Sequence, residues 1–333
     1  MITTDLAPVT GPGLGDFAFP ANEAVFAIGD VHGQAETLRA LCKGIAATDT
    51  GARHRHVVFL GDAIDRGPAS LDTLDLLVNE LGELTRADTV TLLPGNHELM
   101  MAGAIDEARA GHVCTDQATL WLGNGGITVL LEVFEGTPVE LDLEAVLRMM
   151  NLAQTPSEAR KALDPLLPRM GDLMRGFVSA LKARGVDPIE MVRTMPSHVR
   201  VGPVLCVHAG VNPKLALDTA LGFKQDEHLQ VRDHWAWVRE PFLANQRGWF
   251  EAPTKDAQET GGLLVLHGHT VPKKWGKHPS DDPDRIARVF DRMETNARVC
   301  VDFGAGANVG VGACLVTNEG RQLMFEPCES LSA

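Results

Sequence analysis

Residues 57–68 read VVFLGDAIDRGP, in which four apolar residues are followed directly by a segment rich in glycine and acidic residues. The same arrangement occurs four more times. Largely apolar runs at 25–28, 90–93, 204–207 and 263–266 end in GDVHG (29–33), PGNHE (94–98), HAG (208–210) and HGHT (267–270). Short continuous apolar runs are typical of strands that are buried on both faces. The sequence therefore predicts five buried strands, each followed by polar side chains.

Helical patterns separate the first three of these strands. Apolar residues recur at helical spacing after the first strand (Leu38, Leu41, Cys42, Ile45) and after the second (Leu71, Leu74, Val78, Leu81). Strands that alternate with helices predict an α/β architecture with ligands gathered just beyond the strand ends. Three more strands are predicted at 298–302, 312–317 and 322–325, with no helices between them. We expect these three to form an antiparallel meander in a second sheet.

The chain is predicted to consist of a short lead-in and one domain. Residues 1–21 contain proline and glycine but no basic start and no apolar run, so we expect a loosely ordered segment and not a signal peptide. Residues 22–333 are predicted to form a single domain. Within it, the stretch at about 99–200 is mostly helical in pattern and is interrupted by prolines. We interpret this stretch as an insertion over the active face.

Composition excludes some classes of protein and some locations. Lys and Arg number 30 and Asp and Glu number 44, so the formal net charge is −14. Binding a nucleic-acid polymer needs a surplus of basic residues, so no such partner is expected. No stretch approaches the roughly 18 apolar residues of a membrane span. The six cysteines form no CxxC pair, which is typical of buried thiols in a reducing compartment, and we predict a cytoplasmic protein.

The predicted strand ends carry side chains that bind metals: Asp30, His32, Asp62, Asn96, His97, His208 and His269. A mixed set of nitrogen and oxygen ligands suits Mn, Fe, Zn or Ni, and the lack of cysteine argues against a structural zinc site. The set is too large for one ion and fits two ions if one carboxylate bridges them. His267 lies two residues before His269, and either of these histidines could be the ligand.

Taken in order, the motifs resemble those of the calcineurin-like metallophosphoesterases. GDVHG (29–33), GDAIDRG (61–67), GNHE (95–98), HAG (208–210) and GHT (268–270) are most similar to the phosphoprotein phosphatase branch and its bacterial members, which are related to symmetrical diadenosine tetraphosphatases. The resemblance covers nearly the whole chain. It implies a two-layer β-sandwich flanked by helices, with a dinuclear metal centre.

The resemblance also implies a role for each motif residue. By motif, Asp30 and His32 would bind the first metal ion, Asp62 would bridge, and Asn96, His208 and His269 would bind the second. His97 would act as the general acid, oriented by Asp65. Arg66 would bind the substrate phosphate, and Arg239 in WAWVREPFL (235–243) is expected to be a second phosphate-binding arginine. His267 and Glu98 would then support the site without binding metal.

The implied reaction is hydrolysis of a phosphate ester by direct attack of a metal-bridging hydroxide, with Mn as the preferred metal. The expected substrate is a phosphorylated protein or a small phosphate ester. Asp65 and Glu98 favour a Ser/Thr phosphatase-like enzyme, because the tetraphosphatase group commonly lacks the first and has Asp at the second. The alternatives are a symmetrical dinucleoside tetraphosphatase, a small-molecule phosphatase and a non-catalytic metal-binding relative.

One segment departs from the pattern of the bacterial members. VDFGAGANVG (301–310) resembles their D-T-G-x-x-x-G-G segment but has Phe303 in place of the threonine. We expect this loop to line the site, so that the relatives' substrates are a weaker guide to those of this chain.

Overall fold

The computed structural model describes residues 1–6, 19–110, 116–244, 263–271, 294–295 and 298–328. The strands in these ranges are β1 (Ile2–Leu6), β2 (Glu23–Ile28), β3 (His54–Phe59), β4 (Thr89–Leu92), β5 (His198–Val201), β6 (Val204–Val207), β7 (Leu264–His267), β8 (Glu294–Thr295), β9 (Arg298–Cys300), β10 (Gly310–Val316) and β11 (Arg321–Pro327).

The strands form two sheets. The first has six strands in the order β1-β11-β10-β2-β3-β4, and the second has five in the order β5-β6-β7-β9-β8. Each sheet contains three adjacent parallel strands, β2-β3-β4 in the first and β6-β7-β9 in the second. Parallel strands place their carboxyl ends at the same edge, so each sheet gathers the segments that follow its strands along one edge.

The helices are α1 (Ala35–Ala47), α2 (Ser70–Asp75), α3 (Leu81–Thr85), α4 (Asn96–Arg109), α5 (Asp116–Trp121), α6 (Ile127–Val133), α7 (Pro138–Leu152), α8 (Pro156–Lys161), α9 (Met170–Ala183), α10 (Pro188–Thr194) and α11 (Leu217–Leu221). A π-helical turn at Leu76–Glu80 links α2 to α3, and another at Leu122–Gly126 links α5 to α6. In the described part of the segment between β4 and β5, all regular structure is helical. None of the described helices has the length and apolar composition needed to cross a membrane.

Two apolar cores account for the layers. Along β2, Val25 and Ala27 belong to a core that also contains Cys206, Leu264 and Leu266 from the second sheet. The intervening Phe26 and Ile28 belong to a core shared with the helices, including α1 residues Leu38 and Leu41. Since successive side chains of a strand point to opposite faces, β2 is buried between the other sheet and the helices. The predicted two-layer sandwich flanked by helices is confirmed.

Three details differ from the sequence-based expectations. First, Ile2–Leu6 is not loosely ordered but pairs antiparallel with β11. Residues 7–18 of the expected lead-in lie outside the described residues, and the division into a lead-in (1–21) and a single domain (22–333) stays a prediction.

Second, the C-terminal strands do not form one meander in a second sheet. Strand β9 pairs in parallel with β7 in the second sheet, whereas β10 pairs antiparallel with both β2 and β11 in the first. Local sequence patterns do not encode this separation, which depends on long-range pairing.

Third, β4 is not buried on both faces. It forms an edge of the first sheet, and Val90 is 37% exposed. An edge strand lacks a neighbour on one side, and this leaves its first residues open to solvent.

The described cysteines (Cys42, Cys206, Cys300, Cys314 and Cys328) are free and buried. Cys114 lies outside the described residues. The expectation of buried thiols is confirmed for the cysteines that the structure describes.

Candidate metal centre

The carboxyl ends of strands from both sheets meet at one place. Asp30 and His32 follow β2, Asp62 follows β3, Asn96 and His97 begin α4, His208 follows β6, and His269 follows β7; all of these residues are buried. Two hydrogen bonds join the sheets here. Nδ1 of His208 lies 2.8 Å from the Leu60 carbonyl oxygen, and the backbone N–H of His269 donates to Oδ1 of Asp30 at 3.0 Å.

The backbone of the site adopts an uncommon conformation. Non-glycine residues with left-handed φ angles include His32 (46°), Asp62 (60°), Asp65 (75°), Arg66 (69°) and His269 (65°). Such a conformation costs about 1–3 kcal/mol at each residue and persists only where surrounding contacts enforce it. Because strained residues of this kind cluster at functional sites, the backbone identifies the same region as the side chains.

Small residues keep the surrounding backbone close to the carboxylates. A Cβ atom at Gly95 would lie 2.1 Å from Oδ1 of Asp62, and one at Gly268 would lie 2.1 Å from Oδ1 of Asp30. The glycines of the GNHE and GHT motifs therefore allow two backbone segments to pack directly against the acidic side chains.

Two groups of ligand-type atoms share Asp62. The first group is His32, Asp62 and His97, and the second is Asp62, His208 and His269, with the ligand atoms of each group within 4.8 Å of one another. Oδ2 of Asp62 lies 3.7 Å from Nε2 of His32, whereas Oδ1 lies 3.5 Å from Nε2 of His208. The two oxygens of one carboxylate thus face different histidines, one from each group.

The imidazoles present lone pairs to this space. Nδ1 of His32 donates to the Ile64 carbonyl at 2.8 Å, and Nδ1 of His208 donates to the Leu60 carbonyl. Since a carbonyl oxygen only accepts, both neutral rings carry a lone pair at Nε2, the arrangement found for metal-bound histidines. Burial lowers the pKa of His32 to about 3, so its ring is neutral.

His269 and Asn96 provide two further signs of a cation site. Nε2 of His269 is buried and has no hydrogen-bond partner, and burial holds the pKa of this ring well below its usual value. Oδ1 of Asn96 lies 3.1 Å from Nε2 of His208, so two acceptors face each other. A buried orphan nitrogen costs about 1–3 kcal/mol, and a bound ion would satisfy it.

The carboxylates carry the complementary charge. Burial opposes ionisation of Asp62, but His208, His97, His32 and His269 together hold its pKa well below the usual range. Burial, followed by Asp302 and Asp62, raises the pKa of Asp30 well above the usual range, and Oδ2 of Asp30 lies 3.9 Å from Nε2 of His32. Asp30 is therefore beside the first group of ligand-type atoms, although it is not a member of it.

Asp302 is a buried acid that the sequence-based site does not include. Burial raises its pKa to about 6, with a further contribution from Asp62. It follows the run that forms β9, which is the same signal that identified Asp30 and Asp62, and it could have been found in this way. Three neighbouring buried carboxylates repel one another unless protons or bound cations neutralise their charge.

His97 forms a close pair with Asp65. Nδ1 of His97 lies 2.5 Å from Oδ2 of Asp65, and both residues are fully buried. Burial lowers the pKa of His97, but the carboxylates of Asp62 and Asp65 outweigh it and raise this pKa above the usual value. A raised pKa favours the protonated imidazole, which is the form that a general acid requires.

Glu98 ties the start of α4 to the end of β3. Its carboxylate accepts hydrogen bonds from the backbone N–H groups of Asp62, Ala63 and Gly95, each at 2.8 Å. It lies among backbone donors and holds the segment that carries Asp62, in agreement with the supporting role expected from the sequence.

Two arginines lie at the exposed side of the centre. Nη1 of Arg66 donates to Nε2 of His32 at 2.8 Å, and its Nη2 lies 2.8 Å from Nε2 of His97. Arg239 interacts electrostatically with Asp62, Asp302 and Asp30, and burial lowers its pKa. Both arginines expected from the sequence are therefore brought to the centre.

His267 lies outside the two groups of ligand-type atoms. Its Nδ1 is 3.0 Å from the Gly268 carbonyl oxygen, and its ring packs edge-on against Phe242 with centroids 5.0 Å apart. Trp237 contacts His269 edge-on at 5.9 Å, whereas Trp235 is fully buried. Of the two neighbouring histidines, the structure places His269 beside Asp62 and His267 in the packing behind it.

The 301–310 loop has two roles in the structure. A Cβ at Gly306 would lie 2.9 Å from both Cδ of Arg66 and Cδ2 of His32, so the loop does line the site. Phe303, in contrast, is fully buried between the sheets and stacks on Phe325 with centroids 5.0 Å apart. Its side chain contributes to packing and does not face a substrate.

Two packed sheets whose parallel strands end in buried imidazoles and carboxylates agree with the metallophosphoesterase class that the motifs resemble. The chain belongs to the calcineurin-like phosphoesterase family, whose model matches residues 24–280.

Several characterised proteins are similar over part of the chain. Serine/threonine-protein phosphatase 1 of Salmonella typhimurium is 39% identical over 102 residues, which cover 31% of this chain and 38% of that protein. The serine/threonine-protein phosphatase 6 catalytic subunit of Caenorhabditis elegans is 40% identical over 79 residues, which cover 24% of this chain and 22% of that protein. The chain thus spans less than half the length of these relatives.

The crystal structure of a cold-active protein-tyrosine phosphatase of a psychrophilic Shewanella species is similar to this chain, with a TM-score of 0.44 and 17% identity. The similarity covers 93% of this chain and 83% of that one.

Proposed function

We propose that this protein is a dinuclear-metal phosphomonoesterase that acts on phosphoserine, phosphothreonine or a similar ester. The observation that carries the proposal is the position of Asp62 between two groups of buried imidazoles, one of which includes the unpartnered Nε2 of His269. The sequence similarity to Ser/Thr phosphatases supports the class of substrate.

Divalent ions fit the side chains at the centre. Asp30 and His32 would hold one ion, Asn96, His208 and His269 the other, and Asp62 both. The fit rests on the orphaned nitrogen of His269, on the facing acceptors of Asn96 and His208, and on three neighbouring buried carboxylates. Mn is the preferred metal, with Fe, Zn or Ni as alternatives for this mixed ligand set. When bound, the ions supply the charge neutralisation and the acidification of water that ester hydrolysis requires.

The arginines recruit the phosphate. Each terminal nitrogen of Arg66 lies 2.8 Å from an imidazole nitrogen, and a guanidinium fork suits the oxygens of a phosphate. We expect substrate to draw this fork from the imidazoles onto the phosphate, which frees Nε2 of both His32 and His97. Arg239 lies between β6 and β7 in the chain, interacts electrostatically with the acids of the centre, and adds positive charge where negative charge develops.

His97 holds the proton for the leaving group. Its Nδ1 is engaged by Asp65, so Nε2 is the atom that faces the phosphate arginine and delivers a proton to the departing alkoxide. A serine or threonine alkoxide leaves poorly without a proton, whereas a nucleotide phosphate leaves readily. A buried acid–base pair of this kind therefore favours an ester over the phosphoanhydride of a dinucleoside tetraphosphate.

We base the proposed location and the proposed partners of this protein on its composition. Free, buried cysteines support a reducing, cytoplasmic location. The net charge of −14 argues against nucleic-acid polymers as partners, and phosphorylated proteins or small phosphate esters remain the proposed substrates.

The proposal is tested by comparing kcat/KM for a phosphoserine or phosphothreonine peptide with kcat/KM for diadenosine tetraphosphate, using Mn-reconstituted protein. We expect a ratio well above one. A ratio well below one would assign the centre to nucleotide hydrolysis. Activity on small phosphate esters alone would make the protein a small-molecule phosphatase, and metal binding without turnover of any of these would leave a non-catalytic relative.

A further inference from the structure

Trp121 contacts the acid–base pair from outside the sandwich. It ends α5, and its indole N–H donates to Oδ1 of Asp65 at 3.0 Å. Both residues are fully buried. The helical segment between β4 and β5 therefore reaches the centre through one hydrogen bond.

Each oxygen of the Asp65 carboxylate has one hydrogen-bond partner. Oδ2 faces His97, and Oδ1 has the indole N–H. Without the indole, one oxygen of a buried carboxylate would lose its partner, and the carboxylate could rotate about its Cβ–Cγ bond. Hydrogen bonds to charged groups are among the stronger ones in proteins. The indole thus fixes the orientation in which Oδ2 meets the imidazole.

The surroundings of Trp121 hold the indole in place. Its ring packs against Phe177 of α9 with centroids 5.4 Å apart. On its other side, a Cβ at Gly126 would lie 2.6 Å from the indole ring, so only glycine leaves room for it. The indole therefore sits in a slot built by the helical segment, and its N–H has a defined direction.

The turn that follows Trp121 contacts Arg66, the arginine proposed to bind the substrate phosphate. Nε of Arg66 donates to the Asn124 carbonyl at 3.3 Å, and the backbone N–H of Arg66 donates to the Gly125 carbonyl at 3.4 Å. One short segment, 121–126, thus touches both residues that follow Ile64 in the GDAIDRG motif.

We propose that Trp121 is a positioning residue, which acts through Asp65 to aim the His97 imidazole at the leaving group. The inference rests on the proposed function. If it is correct, the helical segment between β4 and β5 helps to position the proton donor and does not only cover the site. The sequence contains no signal for it, since a tryptophan at this helical position predicts only a buried face.

The test replaces the indole N–H while keeping an aromatic ring, in W121F. Phosphoserine peptide and 2,4-dinitrophenyl phosphate are compared, because the dinitrophenolate leaves without a proton and does not need the acid. We expect W121F to lower kcat for the peptide about tenfold or more, while KM for the peptide stays within about twofold of the wild type. The value of kcat for the dinitrophenyl ester should also stay within about twofold.

Two further single variants and one double variant separate positioning from folding. F177L loosens the packing that directs the indole and keeps its N–H, so it should lower kcat for the peptide by less than W121F does and leave kcat for the dinitrophenyl ester unchanged. Benzothienylalanine at position 121 retains the bicyclic shape and lacks the N–H, and it should reproduce the W121F pattern. In the D65N background, W121F should cause no further loss, because the group on which it acts has been altered.

The outcomes distinguish the inference from the proposed function. If the wild type hydrolyses neither ester, the proposed function is wrong. If the wild type hydrolyses both and W121F slows both equally or neither, the phosphatase assignment stands and the positioning role of Trp121 is overturned.

Discussion

At the residue scale, Asp62 is the side chain on which the centre depends. Its two oxygens face His32 and His208 separately, and its backbone N–H is held by Glu98. Its φ angle of 60° is maintained only because these contacts act together. One acid at a strand end thus belongs to both groups of ligand-type atoms and links them.

The role of His97 is tested by its replacement with alanine. We expect H97A to lower kcat for a phosphoserine peptide by about 10²–10⁴-fold, because the leaving alkoxide loses its proton donor. Metal content, measured by mass spectrometry of the dialysed protein, should stay at the wild-type value. A matched control is H54A, which removes a partly exposed imidazole at the start of β3 and should leave turnover unchanged. Wild-type turnover in H97A would refute the general-acid assignment.

At the scale of elements, the carboxyl ends of β2, β3, β6 and β7 place the motifs, and the helical segment completes them. The π-helical turn Leu122–Gly126 contains Gly125, whose φ is 118°. This turn presents two backbone carbonyls to Arg66. The helical segment thus contributes one carbonyl that contacts the side chain of Arg66 and one that contacts its backbone, and Arg66 is the arginine proposed to bind phosphate.

Substitution of Gly125 tests this contact. A Cβ there would lie 2.7 Å from Cγ of Arg66, so G125A should displace the guanidinium and lower kcat/KM for phosphopeptide by about tenfold or more. The control is G136A, since Gly136 also has a positive φ (73°) but a Cβ there meets nothing within 4 Å. G136A should lower thermal stability through backbone strain while keeping kcat/KM. Equal effects of the two substitutions on kcat/KM would show that Arg66 is not held by this turn.

Local sequence patterns predicted some of the strands correctly and missed others. Apolar runs ending in glycine and acid identified β2, β3, β6 and β7, because strands buried on two faces need continuous apolar sequence. The run at 90–93 identified β4 as a strand but not as an exposed edge. The reasoning failed for the sheet membership of β9, β10 and β11, since pairing between distant strands leaves no local pattern. Strand β1 was missed because its alternating exposed and half-buried residues resemble an unstructured segment.

At the scale of the whole molecule, the site exists only where the two sheets meet. The first sheet and α4 contribute Asp30, Asp62 and His97, and the second contributes His208 and His269. The sequence predicted these side chains because each follows its own strand. Trp121 could not be predicted, because its contact with Asp65 joins residues 56 positions apart through the packing of the helical segment.

The most direct test of the account is the number of metal ions bound per chain in active protein and in D62N. We predict two Mn ions per wild-type chain, together with phosphopeptide hydrolysis. D62N keeps the shape of the side chain and removes its charge, so it should lose at least one ion and nearly all turnover. D172N, at an exposed acid of α9, should match the wild type in both measurements. Full hydrolysis by chains that hold fewer than two ions, or retention of both ions by D62N, would contradict a centre bridged by Asp62.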